Sequence, residues 1–270
     1  MLKSILVHAD MSGRSTPRLD SALALARQHG GHVTILFNLP MQRFIATDPF
    51  GGAFVATEAL ASAQADLLAS QQKLADRLAN EDVPWNIVTS EGDLAASLAA
   101  SAALADLVVV GLPPTRSDKF DANPMLAGDV ALAARVPVLA LPDAQAILDM
   151  DGPAVIAWNG SAEAATAVRQ AVPLLHGRAV TLLRVGGNDG QFPDMDALSY
   201  LSRHDIHAEE RIEARGIETV EEVIERVVGE MGAALLVMGA FGHSRLRQTL
   251  FGGVTRYMLD SGRVPLLLGH

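Results

Sequence analysis

Short runs of Val, Ile, Leu and Ala alternate along the chain with longer stretches whose apolar residues recur at three-to-four spacing. The short runs predict strands near 3–9, 32–38, 84–89, 106–111 and 136–141, then near 153–158, 179–185, 207–213, 234–239 and 264–268. The longer stretches predict helices near 15–30, 53–80, 92–104 and 124–135, then near 161–175, 194–203, 217–231 and 246–261. Apolar strands separated by amphipathic helices are what a parallel sheet covered on both faces requires. The predicted class is therefore α/β, with open parallel sheets.

The pattern occurs twice. Leu6-Val-His-Ala-Asp10-Met-Ser12 has a counterpart in Val155-Ile-Ala-Trp-Asn159-Gly-Ser161, and Val33-Thr-Ile-Leu36 in Val180-Thr-Leu-Leu183. Ala105-Asp-Leu-Val-Val-Val-Gly111 returns as Ala233-Ala-Leu-Leu-Val-Met-Gly239, and Arg135-Val-Pro137 as Arg263-Val-Pro265. The last two pairs share one numbering offset, so the loop and helix between them align without a gap. Four matches in one order predict a duplication, with domains at 1–142 and 152–270 joined by a linker from Pro142 to Pro153. The halves differ in their second crossover. The first has a Phe-, Pro- and Gly-bearing loop at 41–52 before a long Ala-rich helix, which reads first as an ordinary exposed loop and otherwise as a lid or a partner contact. The second has the shorter, more polar Gly186–Gly190.

Composition narrows the function. The 270 residues are 49% apolar, enough for two ordinary cores, and the net charge is −10. That charge argues against a nucleic-acid partner, which would call for basic patches. No cysteine occurs, which excludes a disulfide framework, a thiolate nucleophile and a zinc–cysteine site. The N-terminus enters a strand directly, with no leader-like segment, and no apolar run approaches the roughly 18–20 residues needed to span a bilayer. The expectation is a soluble, cytoplasmic protein without a membrane partner.

The candidate chemistry lies near the C-terminus. Gly239-Ala-Phe-Gly242 is followed, after nine residues, by Gly252-Gly253-Val254-Thr255, between two apolar strands. Glycines at a strand-to-helix junction let backbone N–H groups reach phosphate oxygens, and the helix N-terminus favours negative charge. In this duplicated setting the Gly-x2-Gly-x9-Gly pattern resembles the adenine-nucleotide signature of the universal stress protein family, over nearly the whole chain. The resemblance implies five-stranded open sheets in the order 3-2-1-4-5 and two domains pairing across an extended interface. A tandem chain would form that pair internally and could pair further as a homodimer. It also implies ATP as ligand, with Mg2+ accompanying it. Carried over by position, Gly239, Gly242 and Gly252 are the motif glycines, and Gly252 to Thr255 the phosphate-facing start of the last helix. Asn159 stands where the family has an aspartate facing adenine or ribose, and Val185 lines the adenine pocket. Gly253 stands where ATP-binding members usually have Ser or Thr, so one hydroxyl donor is lost while Thr255 still offers another.

In the first half Gly111 is retained, but Gly242, Gly252, Gly253 and Thr255 map to Pro114, Pro124, Met125 and Ala127. Proline has no N–H for a phosphate, so although Asp10 is kept, the expectation is one nucleotide site per chain, in the second half. His243, Arg245 and Arg247 are loop residues able to reach phosphates or to remain solvated. Trp158, beside the predicted adenine pocket, reads as strand packing. His204 and His207 are spaced like metal ligands but lack a third. No Walker loop, dinucleotide turn, zinc-protease motif or nucleophile elbow occurs, and the lysine clamp and metal carboxylate of rapid ATP hydrolysis are not in evidence. Two readings stay open: a stress-response protein with ATP as a regulatory ligand and little or no catalysis, and a protein-interaction module of the same fold that binds no nucleotide. An enzyme of the wider adenine-nucleotide α/β group is the weakest third.

Overall fold

The computed structural model describes residues 1–11, 15–47, 52–112, 123, 125–142, 147–187, 192–214, 216–241 and 253–270. The first half runs β1 (Ser4–Ala9), α1 (Thr16–His29), β2 (His32–Leu39), a 3-10 turn (Met41–Phe44), β3 (Ile45–Thr47), β4 (Ala53–Val55), α2 (Thr57–Leu78), β5 (Trp85–Glu91), α3 (Leu94–Ser101), β6 (Leu107–Leu112), α4 (Leu126–Ala134) and β7 (Val138–Pro142). The second runs β8 (Ala154–Ala157), α5 (Ala162–Leu175), β9 (Val180–Val185), α6 (Asp194–Ser202), β10 (Ala208–Glu213), α7 (Val220–Glu230), β11 (Leu235–Gly239), α8 (Gly253–Ser261) and β12 (Leu266–Gly269). Helix starts follow side-chain chemistry: Asp93 caps α3 by accepting the Ala96 N–H at 2.8 Å, and Thr219 and Glu222 close a reciprocal capping box on α7.

Ten strands form one sheet in the order β10-β9-β8-β11-β12-β7-β6-β1-β2-β5. Within each half the order is the expected 3-2-1-4-5, and every pairing there is parallel. The two predicted sheets are not separate, however. They join edge to edge, β7 antiparallel to β12, with Leu139 opposite Leu267, Ala140 opposite Leu266 and Val138 opposite Leu268. These strands are apolar on both faces, and an apolar edge strand left in water would expose unpaired backbone groups and invite association. Pairing them removes two such edges. The core is accordingly not one per half. One cluster, on the face covered by α1, α2, α5 and α6, takes in Leu139 and Leu267; the other, under α3, α4, α7 and α8, takes in Val138, Ala140, Leu266 and Leu268.

The segment expected to be a free linker is fastened to both halves. The buried Leu148 donates its N–H to Ser21 Oγ of α1 at 2.9 Å. Arg178 of the second half donates to the carbonyls of Leu174, Gly152 and Asp149 at 2.7, 2.6 and 2.8 Å. The 41–52 region also departs from a plain loop, because β3 and β4 pair as a hairpin. The predicted helix near 53–80 therefore starts at Thr57, after Phe54 and Val55 have been taken up by the hairpin. Among the described residues, no helix is long and apolar enough to cross a membrane.

Because the seam serves both cores, it should bind the halves into one cooperative unit. Leu267→Ala, at a fully buried position, should cost about 2–5 kcal/mol. Wild-type urea unfolding followed by circular dichroism should show one transition; two resolved transitions would mean that the halves fold independently.

Candidate functional site

In doubly wound sheets the ligand crevice opens at the carboxyl ends of the strands where the strand order reverses. In the second half that place lies between β8 and β11. The chain leaves β8 through the buried Trp158 into the exposed Asn159. Asn159 Oδ1 accepts the Ser161 N–H at 3.1 Å, and Ser161 Oγ in turn accepts the Ala164 N–H at 3.1 Å and caps α5. The oxygen of the predicted adenine or ribose acceptor is thus engaged locally, in a residue that is itself exposed. Trp158 packs into the cluster beneath α5, its indole N–H without a partner among the described residues.

β11 ends at Gly239, and here glycine has a packing reason. A Cβ would lie 2.6 Å from both Ala164 N and Glu163 C, because the first turn of α5 rests on the strand end. The buried Ala240 extends the sheet by donating its N–H to the Gly269 carbonyl at 2.7 Å. Phe241 then turns the chain with a left-handed φ of 61°, uncommon for a bulky residue. Its ring tip reaches α4 of the first half: a Cβ on Gly128 would lie 2.7 Å from Phe241 Cζ. Glycine inside a helix costs about 0.5–1 kcal/mol relative to alanine, and at position 128 this close approach explains it.

Gly242, His243, Arg245, Arg247 and Gly252 lie outside the described residues. Gly253 is the first residue of α8; it is exposed, and among the described residues a Cβ there would meet nothing within 4 Å. Val254 is half-buried against the second cluster, and Thr255 is only 3% exposed, enclosed beneath the first helical turn. Val185 ends β9, half-buried against the same cluster. The described members of the predicted site (Asn159, Val185, Gly239, Gly253, Val254 and Thr255) therefore sit at the carboxyl ends of β8, β9 and β11 and in the first turn of α8. His204 lies beside Tyr200, ring centroids 4.6 Å apart, and among the described residues no group of three or more His, Asp or Glu is placed to hold a metal ion.

The equivalent place in the first half is differently filled. Asp10, after β1, accepts from Arg18 Nη2 at 3.0 Å, and Arg18 Nη1 lies 3.2 Å from His8 Nδ1. Arg18 comes from α1 and is 5% exposed. The aspartate retained in this half is thus bound by an arginine of its own domain. Sequence reasoning passed over Arg18; the one available signal was a cation among the apolar positions of α1, whose counterpart in α5 is the small Ala167. Pro114 and Pro124 lie outside the described residues. Burial, and secondarily the Arg18 charge, push the His8 imidazolium down to about 4, against the pull of Asp10.

The sequence matches the family model of the universal stress protein family over residues 1–142 and 196–269, and the chain belongs to that family. No curated protein sequence matches it. Among solved structures, a universal stress protein from Archaeoglobus fulgidus is 14% identical, with 98% of this chain and 96% of that one covered and a TM-score of 0.73. A putative universal stress protein from Pseudomonas aeruginosa is 16% identical over 99% and 92% of the two chains, with a TM-score of 0.57. At these identities the likeness bears on the fold, and it spans both halves in tandem.

His8 supplies a pH test. It is neutral in the fold but charges near its ordinary 6.5 once unfolded, so between pH 6.5 and 4 the unfolded chain binds the extra proton. Stability therefore falls as pH drops through that window, by up to about 3 kcal/mol from this group. Urea midpoints of wild type and His8→Asn at pH 7 and pH 4.5 should show a smaller acid loss in the variant; equal losses would refute the assignment.

Proposed function

We propose that this family member is a cytoplasmic stress-response protein that binds ATP in its second half, as a regulatory ligand with little or no turnover. The observation that carries this reading is the asymmetry between the halves. The first half satisfies its aspartate internally through Arg18, whereas the second leaves Asn159 and Gly253 exposed, at the end of β8 and at the start of α8. The amide of Asn159 suits the base or ribose, and backbone N–H groups at the start of α8 suit phosphate oxygens, which the helix dipole also favours. Val185 would lie beside the base. Gly242, His243 and Gly252 would complete the phosphate cradle, with Mg2+ arriving on the ATP. Binding would act by favouring one of two states of the protein toward a protein partner.

The second reading, an interaction module without nucleotide, is favoured by the enclosed Thr255 and by the missing hydroxyl at Gly253. The two readings separate on nucleotide content and thermal shift. Mass spectrometry of freshly purified, denatured protein should release adenine nucleotide, or millimolar ATP should raise the melting temperature, since a ligand of the folded state stabilises it. Neither effect would leave the interaction module; steady phosphate release would favour an enzyme. Among the described residues the space around Gly253 is open, so the site should be adjustable in both directions. Gly253→Ser should tighten ATP binding by restoring a hydroxyl. Gly253→Glu should abolish it while leaving the fold intact, because an acidic residue is welcome in a first helical turn but repels phosphate.

A further inference from the structure

The ten-stranded sheet ends in two edge strands of opposite chemistry. At one end lies β10, Ala-Glu-Glu-Arg-Ile-Glu, in which four of six residues are charged. Charged side chains keep a sheet edge from adding a further strand. At the other end lies β5, Trp-Asn-Ile-Val-Thr-Ser-Glu, which carries no charge before its last residue, Glu91. Among the described residues β5 pairs with β2 alone, so its outer edge is both unguarded and open.

Helix α2 borders this same edge and is divided by charge. Gln71 Nε2 donates to Thr89 Oγ1 of β5 at 2.7 Å, whereas Arg77, on the other side of the helix, is ion-paired with Asp20 of α1. By three-to-four spacing, the side that Gln71 borders carries Ala61, Gln64, Ala65, Leu68, Gln72 and Ala75, none of them charged. Leu68 is 65% exposed there, next to the buried Leu67 that packs into the first cluster. Depletion of charge around a large apolar side chain is the chemistry of an interface core.

We propose that β5 and the uncharged side of α2 form the surface on which a second copy of this chain docks. The strands through which the halves pair, β7 and β12, are already used within the chain, so a second copy must meet another edge. β5 is complementary to itself. A two-fold antiparallel contact centred on Val88 pairs all seven of its residues: Val88 with Val88, Ile87 with Thr89, Asn86 with Ser90 and Trp85 with Glu91. No like charges oppose one another, as they would have to avoid doing in a stable pair. The same axis stands across the sheet, so it sets the two α2 helices side by side on one face, uncharged side to uncharged side. Pairing of β5 with the β10 edge of another copy would instead be head-to-tail, would not close, and is opposed by the charges of β10.

The test is sedimentation velocity on the full chain, without nucleotide, for wild type, Leu68→Glu and Thr89→Lys, with oxidative crosslinking of Val88→Cys and Asn86→Cys. Wild type should sediment at the mass of two chains. Leu68→Glu and Thr89→Lys, both at exposed positions, should lose that species and sediment as single chains with the circular dichroism of wild type. The chain has no cysteine, so each introduced thiol is the only one. Val88→Cys should form a disulfide-linked dimer, because residue 88 faces itself across the axis with Cβ atoms about 4.5–5.5 Å apart. Asn86→Cys should not, because residue 86 of the second copy lies four positions along the strand, about 13 Å away. The two charge variants keep the test decisive should Val88→Cys fail to fold. A wild-type monomer, a dimer that persists in either charge variant, or crosslinking through Asn86→Cys rather than Val88→Cys would overturn the proposal. Wild-type species larger than two chains would mean head-to-tail growth and would overturn it too.

Discussion

The antiparallel pairing of β7 with β12 is the constraint on which the rest of the molecule depends. Each strand is apolar on both faces and closes its own half's sheet, so neither half has a water-tolerant edge on that side. Joining them puts Leu139 beside Leu267 in one core and Val138, Ala140, Leu266 and Leu268 in the other. Neither core is then complete in a single half. The same pairing lays α4 against α8, and that proximity brings Phe241 over Gly128. The linker is fastened as well, through Leu148 to α1 and through the carbonyls of Asp149 and Gly152 to Arg178.

Duplication provided two crevices, and the halves have used them differently. In the first, Arg18 pairs with Asp10, and burial, with Arg18 second, keeps His8 neutral, so charge is satisfied within the protein. In the second, the aspartate position has become Asn159, whose local bond to Ser161 shapes the entry to α5. The α5 turn beneath it lies so close to β11 that only glycine fits at 239. That glycine thus serves packing whether or not a phosphate is bound, and weight in the ligand reading shifts toward the exposed Gly253, where no packing among the described residues calls for a glycine.

Much of this was legible in the sequence. The repeat located all ten strands of the large sheet within two residues at most boundaries, and the family resemblance supplied their order. The seam was not legible, because Val138–Pro142 and Leu266–Gly269 look like any interior strands: a run apolar on both faces says that something covers it, not what. The Arg18 contact was hidden for a related reason. A cation on an amphipathic helix ordinarily reads as solvated, until the parallel crossover returns α1 over the end of β1 and sets the guanidinium 3.0 Å from Asp10. The hairpin of β3 and β4 was masked by helix-compatible alanines that run on into α2. Phe241 and Gly128 are far apart in sequence and in different repeats, so periodicity could not relate them.

On the function proposed above, the halves divide the labour: the second would hold ATP, while the first satisfies Asp10 internally through Arg18. Titration calorimetry of the purified full-length protein with ATP and Mg2+ measures this division most directly, through the binding stoichiometry. One nucleotide per chain is the predicted result; two per chain, or none, would contradict the account.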